Sequence, residues 1–392
     1  MSWEKVRLGD VTDSCLGKML DQAKNKGEYQ PYLANVDVRW GSFDLDNLSE
    51  MRFEDDEQER YGLKYGDLVI CEGGEPGRCA IWKDQIPNMK IQKALHRVRT
   101  HDCLDNRYLY YWFLLAGKTG ALEQYFTGAT IKHMPGQKLK SVIIDIPPIE
   151  VQRRIADILW VYDDLIENNQ KQIKLLEEAV QRLYKEWFVD LRFPGHETTP
   201  ITDGIPEGWR ETTIGDETEV KRGGSPRPIQ EYLSDEGLNW LKISDATASS
   251  SPFIYQIKEK IKPEGLKKTV FMKAGTIILS NSATPGIPKI LKIDTCIHDG
   301  WLYFPNLKLS NEYMYHLFLQ IRSDLVSRGT GAVFTNLRTD ILKKYRFIRS
   351  ADHILELFSK QVKPIFSEID CLHQQVLLMT EARDRLLPKL MS

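Results

Sequence analysis

A chain of 392 residues that is 42% hydrophobic and 28% charged is long enough for two cored domains with length to spare. No apolar run reaches the roughly 18 residues that a membrane span needs, and the charged opening from Met1 to Asp10 has no apolar core of a secretory signal. Cys15, Cys71, Cys79, Cys103, Cys296 and Cys371 lack CxxC spacing, which points to a reducing cytoplasm and away from a structural zinc site. A net charge of −2 neither requires nor excludes nucleic acid, because affinity depends on a local basic face.

In chain order, Trp3-Glu4-Lys5-Val6-Arg7-Leu8-Gly9-Asp10 opens the first half. Tyr65-Gly66-Asp67 leads into the strand signal Leu68-Val69-Ile70, and a glycine turn, Gly73-Gly74-Glu75-Pro76-Gly77, follows. Next come an aromatic helix around Tyr108–Phe113, a loop Thr127-Gly128-Ala129-Thr130-Ile131 and a last strand over Ser141–Ile146. From Val151 to Leu191 no Gly or Pro interrupts the chain. There Tyr162, Ile166, Asn169, Ile173, Leu176, Val180, Leu183 and Trp187 step by fours and threes, which is a heptad seam. About 40 helical residues span roughly 60 Å, and so long a one-sided helix needs a partner stripe.

The segment Phe193–Glu207, with three prolines and two glycines, reads as a hinge. Everything before it then returns. Trp209–Asp216 repeats the opening, Lys273–Leu279 the strand, Ser280–Gly286 the turn and Tyr313–Phe318 the aromatic helix. Thr330-Gly331-Ala332-Val333-Phe334 repeats the loop and Tyr345–Ile348 the last strand. The seam returns at Ile369, Leu372, Val376, Met379, Leu386 and Leu390, so the chain holds two copies of one plan. Each globular half reads as α+β with a twisted, mainly antiparallel sheet and short helices. The expected architecture is two such domains separated by a long antiparallel two-helix coiled coil with a pseudo-twofold axis. Its parts are a domain over 1–149, a long helix over 150–192, a hinge over 193–207, a domain over 208–350 and a helix over 351–392. Two heads on a spacer of ~45–60 Å suit a long ligand with repeating sites, such as duplex DNA with its ~34 Å turn.

The paired W-x-x-x-x-L/I-G-D openings, Gly66-Asp67-Leu68-Val69, the two Thr-Gly-Ala loops and the Ile146-Pro147-Pro148-Ile149-Glu150-Val151-Gln152 exit resemble one family. So does Leu159–Leu176 with Asp163-Asp164-Leu165-Ile166-Glu167. The family is the specificity subunit of type I restriction-modification enzymes, and the resemblance covers essentially the whole chain. It implies two target-recognition domains, each reading half of a bipartite site in double-stranded DNA. It also implies helices that set the separation and hold two methyltransferase subunits, through which restriction and translocase subunits join. By the same resemblance S-adenosylmethionine, ATP and Mg2+ belong to partner subunits, with no cofactor in this chain, and the location is cytoplasmic. The second copy departs at Ile348-Arg349-Ser350-Ala351-Asp352, which leaves the start of the last helix open.

A search for chemistry agrees with a non-catalytic role. Asp145-Ile146-Pro147-Pro148-Ile149 lacks the residue next to Pro-Pro and the aromatic that an adenine methyltransferase needs, and reads as a rigid turn. No GxGxxG or P-loop occurs. Glu219-Val220-Lys221 has nuclease-like spacing without a preceding Pro-Asp, and no histidines pair at metal-ligand spacing.

Loops rich in cations and small polar groups are the places for base and phosphate contacts. In the first domain these carry Arg78, Lys90, Gln92, Lys93, Thr127, Thr130, Lys132 and His133, while the acidic run Glu54–Glu59 should face away from phosphate. In the second they carry Ser225 and Arg227 after Gly223-Gly224, then Asn281, Ser282, His298, Thr330, Asn336 and Arg338. A basic stretch there holds Lys258, Lys260, Lys262, Lys267, Lys268 and Lys273. On the helices, Trp160, Tyr184 and Phe188 either belong to the core or anchor a methyltransferase subunit. Two rival readings stay open: a self-contained enzyme acting on DNA, and a scaffold whose heads bind proteins.

Overall fold

The computed structural model describes residues 3–19, 21, 25–328 and 336–392, without the side chain of residue 328. Two compact units emerge, Met1–Asn168 with Val376–Ser392, and Asn169–Gln375. Each unit holds one globular domain and segments of both long helices, Ile149–Phe188 and Asp352–Leu390. No helix among the described residues is long and apolar enough to cross a membrane.

In the first unit the opening strand Glu4–Arg7 pairs antiparallel with the last one, Ile143–Ile146 (Glu4↔Ile146), so the domain closes where the chain leaves for the long helix. The opening motif is a packing device. Leu8 is buried, and a Cβ at Gly9 would come within 2.9 Å of Lys140 Cβ, so only glycine admits the short helix Gly136–Lys140 this closely. The strand Leu68–Cys71, a continuous apolar run, is buried at every residue. It sits inside a four-stranded sheet ordered Thr12–Leu16, Leu95–Thr100, Leu68–Cys71, Cys79–Ile81. A separate three-stranded sheet runs Ser49–Phe53, Glu28–Leu33, Lys90–Ile91, the last pair parallel.

The aromatic helix Asn106–Thr119 starts at Asp105, whose carboxylate accepts from the N–H groups of Arg107 and Tyr108 at 3.0 and 3.1 Å. It stops at Gly120, in the left-handed region at φ 74°. Its buried face docks on both long helices. The Tyr111 hydroxyl donates to Asp163 at 2.6 Å, and Arg383 of the C-terminal helix binds the same carboxylate. Ile155, Ala156 and Leu159 share one core with Leu387 and Met391. Early central-helix residues thus meet late C-terminal-helix residues, the mark of antiparallel packing.

Gln152 secures this junction. It is 1% exposed, its amide nitrogen donates to the Cys103 and Pro147 carbonyls at 3.0 and 2.8 Å, and its oxygen accepts the Asp105 N–H at 2.9 Å. One side chain therefore ties the exit turn, the long helix and the start of the aromatic helix together.

The second unit repeats the plan. Its first and last strands, Arg210–Thr213 and Arg346–Arg349, pair antiparallel (Arg210↔Arg349). Ile214 is buried, and Gly215 meets the Lys343 carbonyl at 3.0 Å from a built Cβ, the counterpart of the Gly9 contact. Its main sheet runs Lys221–Arg222, Trp301–Tyr303, Ile277–Ser280, Pro288–Leu291, Phe253–Ile254. A second five-stranded sheet, ordered Leu233–Ser234, Glu259–Ile261, Leu238–Leu241, Thr295–Ile297, Val270–Met272, is larger than its first-unit counterpart. The single twisted sheet expected in each half is thus divided among several small sheets, because Gly, Pro and Asn turns keep the strands short.

Here too the helices pack antiparallel. The Asn169 amide donates to Gln375 Oε1 at 2.9 Å, and the Trp187 ring lies 5.9 Å from Phe358. Ile166, Asn169, Ile173, Val180 and Trp187 are buried as the heptad reading requires. At the far end of the second helix, however, Leu387 is fully buried, and Met391 just past it nearly so, while Leu386 and Leu390 are partly buried. Pro364 lies within that helix, flanked by the buried Val362 and Phe366. The segment read as a hinge contains a small hairpin, Ile201–Thr202 with Ile205–Pro206.

Gln152→Ala removes the partner of three backbone groups, of which the Pro147 carbonyl is buried, and a buried group left without a partner costs about 1–3 kcal/mol. The expected result is a protein less stable by about 1–3 kcal/mol in denaturant unfolding, with the loss confined to the first unit when hydrogen exchange is read residue by residue.

Candidate nucleic-acid interface

In the first unit a closed loop carries much of the candidate surface. Thr127 and His133 exchange backbone hydrogen bonds at 2.8 and 2.9 Å, leaving 128–132 as an exposed tip. Gly128 has φ 92°, and a Cβ there would fall 2.2 Å from the Ile131 carbonyl, which accounts for the glycine of the Thr-Gly-Ala motif. This loop abuts the glycine turn. Gly73 bridges to His133, and the Met134 N–H donates to the Glu72 carbonyl at 2.8 Å. The Glu72 N–H in turn donates to Ala94, which brings the exposed Lys93 to the same edge. Thr127, Thr130, Lys132, His133 and Lys93 are therefore gathered.

Two first-domain candidates are corrected. Lys90 is 3% exposed and donates to the Asn88 carbonyl, so it cannot reach phosphate. Arg78 is turned inward, donating to the Asn35 carbonyl at 2.8 Å and to Glu75 at 3.0 Å, and braces the glycine turn instead. Gln92 is half-buried, and its side-chain oxygen caps the Ala94 N–H. Within the acidic run, Glu57 pairs with the buried Lys18 and Glu59 with Lys64 and Arg99.

In the second unit the organising residue is Asp299, which sequence reasoning passed over. Its carboxylate accepts from the Ser225 hydroxyl at 2.7 Å and pairs with Arg227 at 3.3 Å. Its carbonyl takes the Asn281 amide at 3.2 Å and the Arg222 guanidinium. Burial opposes its ionisation. The Ser225 hydroxyl and the charges of Arg222, His298 and Arg227 outweigh burial and hold the carboxyl below the ordinary carboxylate range. His298 is lowered too, in its case by burial, against the pull of Asp299.

Asn281 is corrected as a base reader. It is 2% exposed and serves the interior, joining the Asp299 loop to Leu337 through backbone bonds. Ser225, Arg227, Ser282, Asn336 and Arg338 remain at least partly accessible around it. Thr330 and the rest of the second Thr-Gly-Ala loop lie outside the described residues.

The basic stretch does not act as one patch. Lys267 and Lys268 border Gly224, whereas Lys273 pairs with Asp294 at 2.7 Å beside a different turn. Lys262 donates to the Glu231 carbonyl, and Lys260 is half-buried in a strand with Lys258 just before it.

The aromatic residues of the helices are corrected as well. Tyr184 is 4% exposed, and Phe188 packs 5.0 Å from both Tyr313 and Phe358. Trp160 stands edge-on to Tyr110 and Tyr111, with the Lys83 ammonium over its ring at 4.7 Å. All three serve their own domains. No cluster of three or more potential metal ligands occurs among the described residues.

The family model of the type I restriction modification DNA specificity domain matches residues 1–178. Over its first 178 residues the chain is thus similar to this specificity family. It is 27% identical over 337 residues to the specificity subunit of the type I restriction enzyme MjaIX of Methanocaldococcus jannaschii, covering 83% of this chain and 76% of that one. It is 22% identical over 467 residues to the HindI specificity subunit of Haemophilus influenzae, covering 100% of this chain and 99% of the relative. The fold matches the crystal structure of a type I system S subunit from M. genitalium with a TM-score of 0.61 at 17% identity, over 100% of this chain and 96% of the other. The specificity-domain match ends within the central helix, and from residue 208 onward the strand order of the main sheet returns with one strand added.

A lowered carboxyl pKa stabilises the fold above the unfolded value, near 3.8, and that contribution fades as pH falls through the folded one. Asp299→Asn is therefore expected to lower the melting temperature at pH 7, with the gap from the parent closing below about pH 3.8. A gap that stays constant with pH would contradict the hub.

Proposed function

We propose that this chain is the sequence-reading subunit of a type I restriction-modification system, with each domain reading one half of a split DNA target. The observation that carries the reading is that each unit gathers its loop residues to one edge. In the first unit these are Thr127–His133, the glycine turn and Lys93; in the second, Ser225–Arg227, Ser282 and Asn336–Arg338. Hydroxyls, amides and guanidinium groups on short, internally braced loops are the equipment of base readout, with the exposed Lys93 and Lys267 available to phosphate.

The chain itself does no chemistry in this account. S-adenosylmethionine, ATP and Mg2+ are held by partner subunits, and methyltransferase subunits dock on the helices. With Trp160, Tyr184 and Phe188 committed to the core, the docking face passes to Val151, Ile158, Val161 and Leu165. These are 40%, 39%, 58% and 47% exposed and recur at steps of seven, three and four along the central helix. An apolar stripe at that spacing is what a partner helix would cover.

The test is to co-express the chain with a methyltransferase subunit from the same source and map methylated adenines by single-molecule sequencing. Methylation confined to one split motif is expected, with duplex binding that weakens steeply as salt rises. A stable complex that methylates nothing and binds no duplex at low salt would favour a protein scaffold. Metal-dependent cleavage by the isolated chain would favour an enzyme.

A further inference from the structure

The second unit holds a recess of about 820 Å³ beside Asp299. Its wall is apolar, formed by Pro226, Pro228, Ile229, Trp240, Ile243 and Ala283. Trp240 and Ile243 are only 2% and 8% exposed, so the floor is anchored in the domain core. The rim carries Arg227, Lys242, Ser282 and His298. His298 Nδ1 accepts the Gly300 N–H at 2.8 Å, so the neutral ring bears its proton on Nε2 and offers one donor to the recess.

An apolar wall beside one N–H donor matches one base edge. In the major groove thymine alone presents a methyl group next to an acceptor, O4. Guanine offers acceptors without apolar surface, and cytosine offers a donor. Resting on the DNA-reading function above, we propose that this recess reads a thymine in the target. The C5 methyl packs against Ile229 and the Trp240 floor, and O4 accepts from His298 Nε2. The recess in the first unit, about 480 Å³, has different chemistry. Trp40, Phe126 and Ile131 line it together with Lys132, Glu123 and a Glu75 carboxylate already taken by the Trp40 indole at 2.7 Å and by Arg78 at 3.0 Å.

The test uses the complex of this chain with its methyltransferase subunit and duplexes carrying the mapped motif. Each thymine is replaced in turn by deoxyuridine, which keeps O4 and removes the methyl group. One replacement should weaken binding roughly fourfold, the factor for about 0.8 kcal/mol per buried carbon. In Ile229→Ala, verified to melt like the parent, that ratio should fall close to one. The proposal is overturned if the motif has no thymine, if every deoxyuridine duplex binds like the parent, or if Ile229→Ala leaves the ratio unchanged. Binding of no duplex at all overturns the DNA reading itself, whereas tight binding without a deoxyuridine penalty sinks only the thymine recess.

Discussion

Everything in this chain hangs on an apolar seam that neither long helix can bury alone. A helix of about 40 residues with one apolar stripe is unstable in water by itself. Here the partner stripe comes from the other copy of the same helix. In each unit the segments meet antiparallel, through Asp163–Arg383 in the first and through Asn169–Gln375 and Trp187–Phe358 in the second. The polar pair at Asn169 interrupts an otherwise apolar seam. A lone amide at such a position favours one register over its neighbours at some expense of stability. Each domain's aromatic helix docks on the helix segments of its own unit, so helix pairing also seats that domain within its unit.

The domains use the same closure twice and then diverge where they would read a ligand. Pairing of first and last strand and the close approach at Gly9 or Gly215 recur in both. The exit differs. Gln152 ties the first junction with neutral hydrogen bonds, while in the second Arg349 reaches Glu217 at 3.2 Å and Asp352. The recesses differ more, one bordered by Glu75, Glu123 and Lys132, the other by Arg227, Lys242 and His298. A scaffold repeated with changed loop chemistry is what two unlike half-sites require.

Much of the fold was legible because duplication and heptad spacing are long-range patterns that survive local ambiguity. The seam from Ile166 to Trp187, the aromatic helices and the Thr-Gly-Ala loop of the first half all follow from periodicity or glycine placement. Pro364 would ordinarily punctuate a helix, at about 3 kcal/mol, yet buried residues on both sides hold the helix through it. The loop residues were less legible, because burial of a polar side chain leaves no trace in sequence. Lys90, Arg78 and Asn281 look like readers by type but face inward. Asp299, an acidic residue in a supposed cationic surface, attracted no notice although it holds the surface together. Trp160, Tyr184 and Phe188 sit off the seam, and only the three-dimensional arrangement reveals the aromatic helices that cover them.

On the proposed function, each domain reads its half of the DNA target independently of the other. Exchanging residues 1–149 for the first domain of another specificity protein, and mapping methylated adenines in the resulting complex, addresses it directly. The account predicts a hybrid motif in which one half changes and the other half stays. A motif altered in both halves, or left unaltered, would contradict it.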